Sequence, residues 1–255
     1  MFADNFKLEH YLQRIGWEGS LGRDAATLGR LMRHQLLTIP FENLDVQAGK
    51  IVSMTPEDIV DKIVGRRRGG YCYEVNGLFA MALAHLGIPF KFIAARPMFY
   101  PSRRPKTHMA LIAEADGHTW LCDLGFGSYG IRAPMRLDVL DKPVRQDSDV
   151  YTLRKTSDKD YLLTACIDGT DAPQYSFDTS EQEWVDFWPA NYLNSTHPDA
   201  IFVQKLLVIL HTPAGRVILL GDMLKTVEGA AISQQKLSDV DIANTLRERF
   251  GLATH

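Results

Sequence analysis

The strongest constraint on this chain is a change of hydrophobic period at about residue 89. Before it, apolar residues recur at Val75, Leu78, Phe79, Ala82, Leu83 and Leu86, the spacing of one helical face. Gly87 and Pro89 stop that helix and block its return. After it, Phe90–Ala95, His108–Ala113 and Thr119–Asp123 read as strands, and Asp116-Gly117 between the last two signals a hairpin. The chain is therefore helical first and sheet-forming second, an α+β arrangement. Its 255 residues suit one large domain or two to three small ones.

The helical part has further markers. Phe6, Leu8, Tyr11, Leu12 and Ile15 repeat at helical spacing up to Gly16. Asp24 is placed to cap a second helix carrying Leu28, Leu31, Met32 and Leu36. Thr55-Pro56 opens a third. Ile39–Leu44 is expected to be irregular because of Pro40, and Trp184–Asn191 to be a connector. Val150–Leu153 and Tyr161–Ala165 add strands, so the middle third reads as an antiparallel sheet or small barrel. A Pro213-Ala214-Gly215 turn, a strand over 216–220 and a helix from about Ser238 complete the chain.

Bulk properties narrow the function. A net charge of −3 provides no basic field for nucleic acid or anionic membrane. No stretch approaches the roughly 18 apolar residues that span a bilayer. Three cysteines make no disulfide framework, and neither CxxC nor HExxH occurs, so no metal site is expected. The start lacks a basic-then-apolar leader pattern. The expected compartment is a reducing cytoplasm.

Cys72 stands in Arg68-Gly69-Gly70-Tyr71-Cys72-Tyr73-Glu74-Val75-Asn76-Gly77, at the mouth of the first helix described above. Unpaired N–H groups and the helix dipole stabilise a thiolate at such a place. Gly69 and Gly70 allow a sharp turn and the close approach of a ligand. The competing reading is a small buried hydrophobe. A nucleophile needs a base and an orienter. His108 opens a strand and Asp123 ends the next. In the expected hairpin the two meet at its open end, although they lie at unequal distances from the turn, a mismatch a bulge would absorb. Taken singly, a His before a strand reads as a surface residue and an Asp after one as a turn residue. Cys122 is expected to point into the core. Arg66-Arg67-Arg68 is either a solvated run or, through Arg68, a buried pair with Glu42 bracing the Cys72 loop.

These segments, with Ile39-Pro40-Phe41-Glu42-Asn43-Leu44 and Asp123-Leu124-Gly125-Phe126-Gly127, resemble the arylamine N-acetyltransferases. The specific motifs run to about residue 130. The resemblance implies an N-terminal helical bundle (1–89) carrying the nucleophile, a central antiparallel β-barrel (90–190) carrying the base and acid, and a C-terminal α/β lid (191–255), with a cysteine-protease-like core. It implies a Cys72–His108–Asp123 triad and acetyl-coenzyme A (acetyl-CoA) as donor. Aromatic amines or hydrazines are the implied acceptors, bound near Phe126, Thr107 and Phe41. Gly125, Gly127 and Ser128 are implied at the coenzyme approach, and Arg68 and Glu42 as structural support. The family often has Phe at the place of Tyr73 and Asn at that of Val75. An amide synthase or cysteine hydrolase with another acyl donor is the alternative within the same chemistry. A non-catalytic binder of aromatic amines is a third reading, opposed by the intact Cys-His-Asp set.

Overall fold

The computed structural model describes residues 1–127 and 129–252. The first part holds α1 (Leu8–Arg14), α2 (Ala25–Thr38), the two-residue strand β1 (Phe41–Glu42), α3 (Leu44–Gln47) and α4 (Pro56–Val60). A π-helical turn, Asp61–Gly65, precedes α5 (Cys72–Leu86). Asp24 caps α2 by accepting from the Thr27 N–H at 2.7 Å. Gly87 ends α5 in the left-handed region at φ +66°, where a side chain would be strained. The Ile39–Leu44 segment is more ordered than its proline suggested: Phe41 and Glu42 pair with Ile209 and Val208.

The second part contains β2 (Phe90–Pro97), β3 (His108–Ala115), β4 (His118–Cys122), β5 (Met135–Arg136), β6 (Pro143–Gln146), β7 (Asp149–Lys155), β8 (Asp160–Ile167) and β9 (Thr170–Asp178). They form one eight-stranded sheet in the order β5-β4-β3-β2-β9-β8-β7-β6. The expected barrel is thus corrected to a curled half-barrel whose edges, β5 and β6, do not pair. A two-residue β5 offers too short a ladder to close against β6. Asp116 and Gly117 both take positive φ, 51° and 72°, as a tight hairpin turn requires. α5 packs against β3 and β2 and is almost wholly buried along its first three turns.

The expected connector near Trp184 is a 3₁₀ turn (Trp184–Phe187) running into α6 (Trp188–Thr196). Pro189 sits in the first turn of α6, where its missing N–H costs nothing. Then follow α7 (Ile201–Gln204), β10 (Leu207–Thr212), β11 (Gly215–Leu220), β12 (Met223–Glu228), β13 (Ala231–Lys236) and α8 (Asp239–Phe250). The C-terminal strands make an antiparallel sheet in the order β1-β10-β11-β12-β13. β1 thereby stitches the N-terminal part into the C-terminal sheet. A small apolar cluster including Val208, Leu219, Leu246 and Phe250 seals α8 onto that sheet.

Among the described residues, no helix is long and apolar enough to cross a membrane.

Candidate active site

Cys72 is the first residue of α5 and is buried. The Glu74 carboxylate reaches back to accept from the Tyr71 N–H at 3.0 Å, so this helix-start donor is already used. The glycines before it are required by packing. A Cβ on Gly69 would fall 2.0 Å from the Pro40 carbonyl oxygen, and one on Gly70 2.6 Å from Glu74 Cβ. The Glu42 N–H donates to the Gly70 carbonyl at 3.1 Å and the Gly70 N–H to Pro40 at 3.3 Å. The nucleophile loop therefore lies alongside β1, with Gly70 bridged in parallel to Phe41.

Beneath it lies a buried ionic cluster. Arg68 and Glu42 pair at 2.7 Å, the contact envisaged for them. Sequence reasoning did not find their partners. Lys62, on the π-helical turn, lies 2.7 Å from Glu74, 2.6 Å from Asp45 and 3.8 Å from Glu42. Burial pushes the Glu74 carboxyl up to about 7 although Lys62 opposes the rise. Lys62 moves upward: burial disfavours its charge, but Glu74, Glu42 and Asp45 outweigh that.

His108 and Asp123 meet without a bulge. Leu111 pairs with Cys122 and Ala115 with His118 in unbroken register. Asp123 leaves the strand and lies diagonally from His108 on the same face, which accounts for their unequal distances from the turn. His108 Nε2 and Asp123 Oδ2 are 2.7 Å apart, and both residues are buried. Burial works against charging His108. The Asp123 carboxylate, its hydrogen bond and a hydrogen bond with Cys72 prevail and lift its pKa to about 10. Asp123 is held below the usual carboxylate range: burial opposes this, but His108, the Gly125 N–H at 2.9 Å and Asn76 at 3.2 Å outweigh it. Cys122 points into the core, and burial raises its thiol.

Asn76, one turn beyond Cys72, is the organising residue that the sequence reading passed over. Its amide donates to the Met109 carbonyl at 2.7 Å and to Asp123, and its oxygen accepts from the Leu124 N–H at 2.8 Å. The available signal was its i+4 spacing from Cys72, which puts both on one helix face. Tyr175 gave no such signal. Its ring centroid lies 5.2 Å from His108 and 4.8 Å from Phe126.

Cys72 and His108 open on a cavity of about 870 Å³. Phe41, Thr107, Gly125 and Phe126, all singled out in the sequence, also line it. Phe126 packs edge-on to His108, ring centroids 5.1 Å apart. A Cβ on Gly125 would lie 2.4 Å from Cys72 Cα, so only glycine lets this loop close over the nucleophile. Gly127, at φ +95°, packs against Ile209 and is not among the lining residues. Ser128 lies outside the described residues. The C-terminal part supplies the far wall, including Phe202, Ile209, Leu220 and Met223, while Arg104 and Lys225 bring positive charge to it. Among the described residues no His, Cys, Asp and Glu cluster is arranged to hold a metal ion.

A family model described as N-acetyltransferase matches residues 24–255. An arylamine N-acetyltransferase of Escherichia coli (strain K12) is 33% identical over 250 residues, spanning 96% of this chain and 88% of that protein. The structure of the arylamine N-acetyltransferase from M. tuberculosis matches with a TM-score of 0.92 at 33% identity, covering 96% of this chain and 93% of its own. The Mycobacterium marinum arylamine N-acetyltransferase, solved in complex with CoA, matches with a TM-score of 0.90 at 31% identity, covering 96% and 92%. These matches place the chain among the N-acetyltransferases. It belongs to the arylamine N-acetyltransferase family, and its activity is acetyl transfer from acetyl-CoA.

Proposed function

We propose that this chain transfers the acetyl group of acetyl-CoA to the nitrogen of an arylamine or arylhydrazine through an acetyl-Cys72 intermediate. The observation that carries the reading is the continuous contact from Cys72 to His108 to Asp123 at the floor of an apolar cavity. In this reading His108, whose pKa is raised by the Asp123 carboxylate, holds the proton that Cys72 gives up, and the thiolate so formed is the nucleophile. The thiolate attacks the thioester carbonyl. As the tetrahedral centre collapses, the carbon–sulfur bond to CoA breaks, and the leaving thiolate takes the His108 proton. An amine then attacks acetyl-Cys72 and gives its proton to the now neutral His108. Cys72 leaves as thiolate, and the starting pair is restored. Asp123 keeps the ring oriented and stabilises its charged form. The Cys72 N–H at the helix start is the proposed oxyanion donor, since that of Tyr71 is taken.

In this reading 1–89 carries the nucleophile, 90–190 the base and acid in a cysteine-protease-like core, and 191–255 a lid that excludes water from the acetyl-enzyme. Phe126, Phe41 and Thr107 contact the aromatic acceptor. Gly125 and Gly127 lie on the coenzyme approach, and the cations Arg104 and Lys225 suit its phosphates. The oxygen of an N-hydroxyarylamine would be reached from the same intermediate. The protein works in the cytoplasm.

Intact-mass spectrometry after mixing with acetyl-CoA alone tests the proposal. One acetyl group, mapped to Cys72 and discharged by an arylamine, is expected. An acetyl-enzyme discharged by water as fast as by amine would make the protein a hydrolase. An unmodified protein would remove the proposal.

A further inference from the structure

The helix that carries Cys72 also grips the backbone on both sides of His108. Tyr73 Oη donates to the Thr107 carbonyl at 2.8 Å, and Asn76 Nδ2 to the Met109 carbonyl at 2.7 Å. His108 needs such support. It is the last residue of β3 to pair with β2, opposite Ala95. On the other side, pairing with β4 stops at Leu111. Ahead of it runs the largely exposed stretch 101–106. The base thus sits at a ragged strand end, where the sheet alone fixes it poorly.

Asn76 is also tied to Asp123 and Leu124, so its role is not confined to His108. Tyr73 is different. Its ring is fully buried, edge-on to Tyr71 at 5.3 Å and against Phe187 at 5.9 Å. It does not line the cavity. Among the described residues its hydroxyl meets only Thr107 and the amide of Asn194, which approaches at 3.3 Å and itself donates to Thr107 at 3.0 Å. Three elements therefore converge on one carbonyl: the nucleophile's helix, the loop into the base, and α6 beside the cavity. Burial keeps the phenol protonated, so it remains a donor.

We infer that Tyr73 is a positioning residue for the transfer reaction: its hydroxyl, with Asn194, fixes the Thr107 carbonyl and so sets the His108 ring against Cys72. The inference rests on the Cys72–His108 reading above. It concerns a hydroxyl that the aromatic core does not require, because the ring contacts would survive its loss.

Tyr73→Phe removes that hydroxyl alone, and Asn194 still satisfies the carbonyl. The measurements are the single-turnover rate of Cys72 acetylation across pH and the rate of Cys72 alkylation by iodoacetamide, which needs no coenzyme site. Thermal melting is followed alongside. The inference expects an unchanged midpoint and unchanged half-saturation by acetyl-CoA. Both rates should fall about tenfold, less than the roughly hundredfold cost of an ångström of misplacement. The pH profile of acetylation should shift. Rates equal to the parent's would overturn the inference, and so would rates that fall only with the melting midpoint. A parent protein that gains no acetyl group on Cys72 would instead fail the proposed function, and this inference with it.

Discussion

Asp123 Oδ2 lies 2.7 Å from His108 Nε2 while its Oδ1 accepts from the Gly125 N–H and the Asn76 amide. Both oxygens of the carboxylate are thus committed, one to the base and one to the loop that covers Cys72. The charge of Asp123 holds the imidazole and its second oxygen holds the substrate wall.

Asp123→Asn should therefore leave a folded protein with acetyl transfer reduced by about 10⁴, the loss seen when the same change is made in a serine triad. It should also change the pH dependence of stability. The His108 pKa lies near 10 against an ordinary 6.5. The stabilisation from its charge is fully present below about 6.5 and is lost as pH rises through about 10. The parent's melting midpoint should decline across that window, and the variant's should not decline by this route. A variant that keeps its circular dichroism and more than a tenth of its turnover would remove Asp123 from the role.

How far the site could be read in advance depended on range. Cys72 had a local signal, a helix start behind two glycines, whereas Gly125 and Phe126 were singled out only by the family resemblance of the Asp123–Gly127 motif. The helix caps at Asp24 and Gly87 were legible because capping chemistry is local. The open edge of the central sheet was not, since closure depends on how β5 and β6 lie in space. Nor was β1, a two-residue strand whose partner is more than 160 residues away. Lys62 escaped notice because its carboxylates come from two segments on either side of it, Glu42 with Asp45 and Glu74. Tyr175 escaped because nothing near it in sequence distinguishes it from a core aromatic.

Removal of one cation from the buried cluster should separate Lys62 from Arg68. The Lys62 side chain is 6% exposed and that of Arg68 18%. Lys62→Met would strand Glu74 and leave Glu42 with Arg68 alone, at a cost of about 3–5 kcal/mol. Arg68→Ala should cost less, because Lys62 remains near Glu42 and water reaches part of the Arg68 site. Urea midpoints compare the two directly. Equal losses, or a larger one for Arg68, would show that the cluster is held from its rim.

Among the cysteines, exposure and activation point in opposite directions. Cys166 is exposed, whereas Cys72 and Cys122 are buried. Burial and the adjacent Asp123 carboxylate push the Cys122 thiol up, so it should be inert. Cys72 should be alkylated before Cys166 at neutral pH, because it faces both the cavity and a protonated imidazole. Peptide mapping of a time course decides the order. Labelling that follows exposure, Cys166 first, would mean that Cys72 is not an activated nucleophile.

The cavity also sets the kinetic order. Cys72, His108 and Phe126 share one apolar space, and Gly125 closes so tightly on Cys72 that a single methyl group would reach 2.4 Å from its Cα. The coenzyme's thiol end and an aromatic amine must both reach the same sulfur. A covalent acetyl on Cys72 separates the two encounters in time. Double-reciprocal plots against acetyl-CoA at several fixed amine concentrations should therefore be parallel. Coenzyme A, as product, should compete with the amine for the acetyl-enzyme and not with acetyl-CoA alone. Cys72→Ser should lose turnover without losing the fold, because a serine hydroxyl lacks the thiolate's nucleophilicity at neutral pH. Lines that intersect, together with a serine variant that retains turnover, would mean direct transfer in a complex of both substrates, with the thiol a bystander.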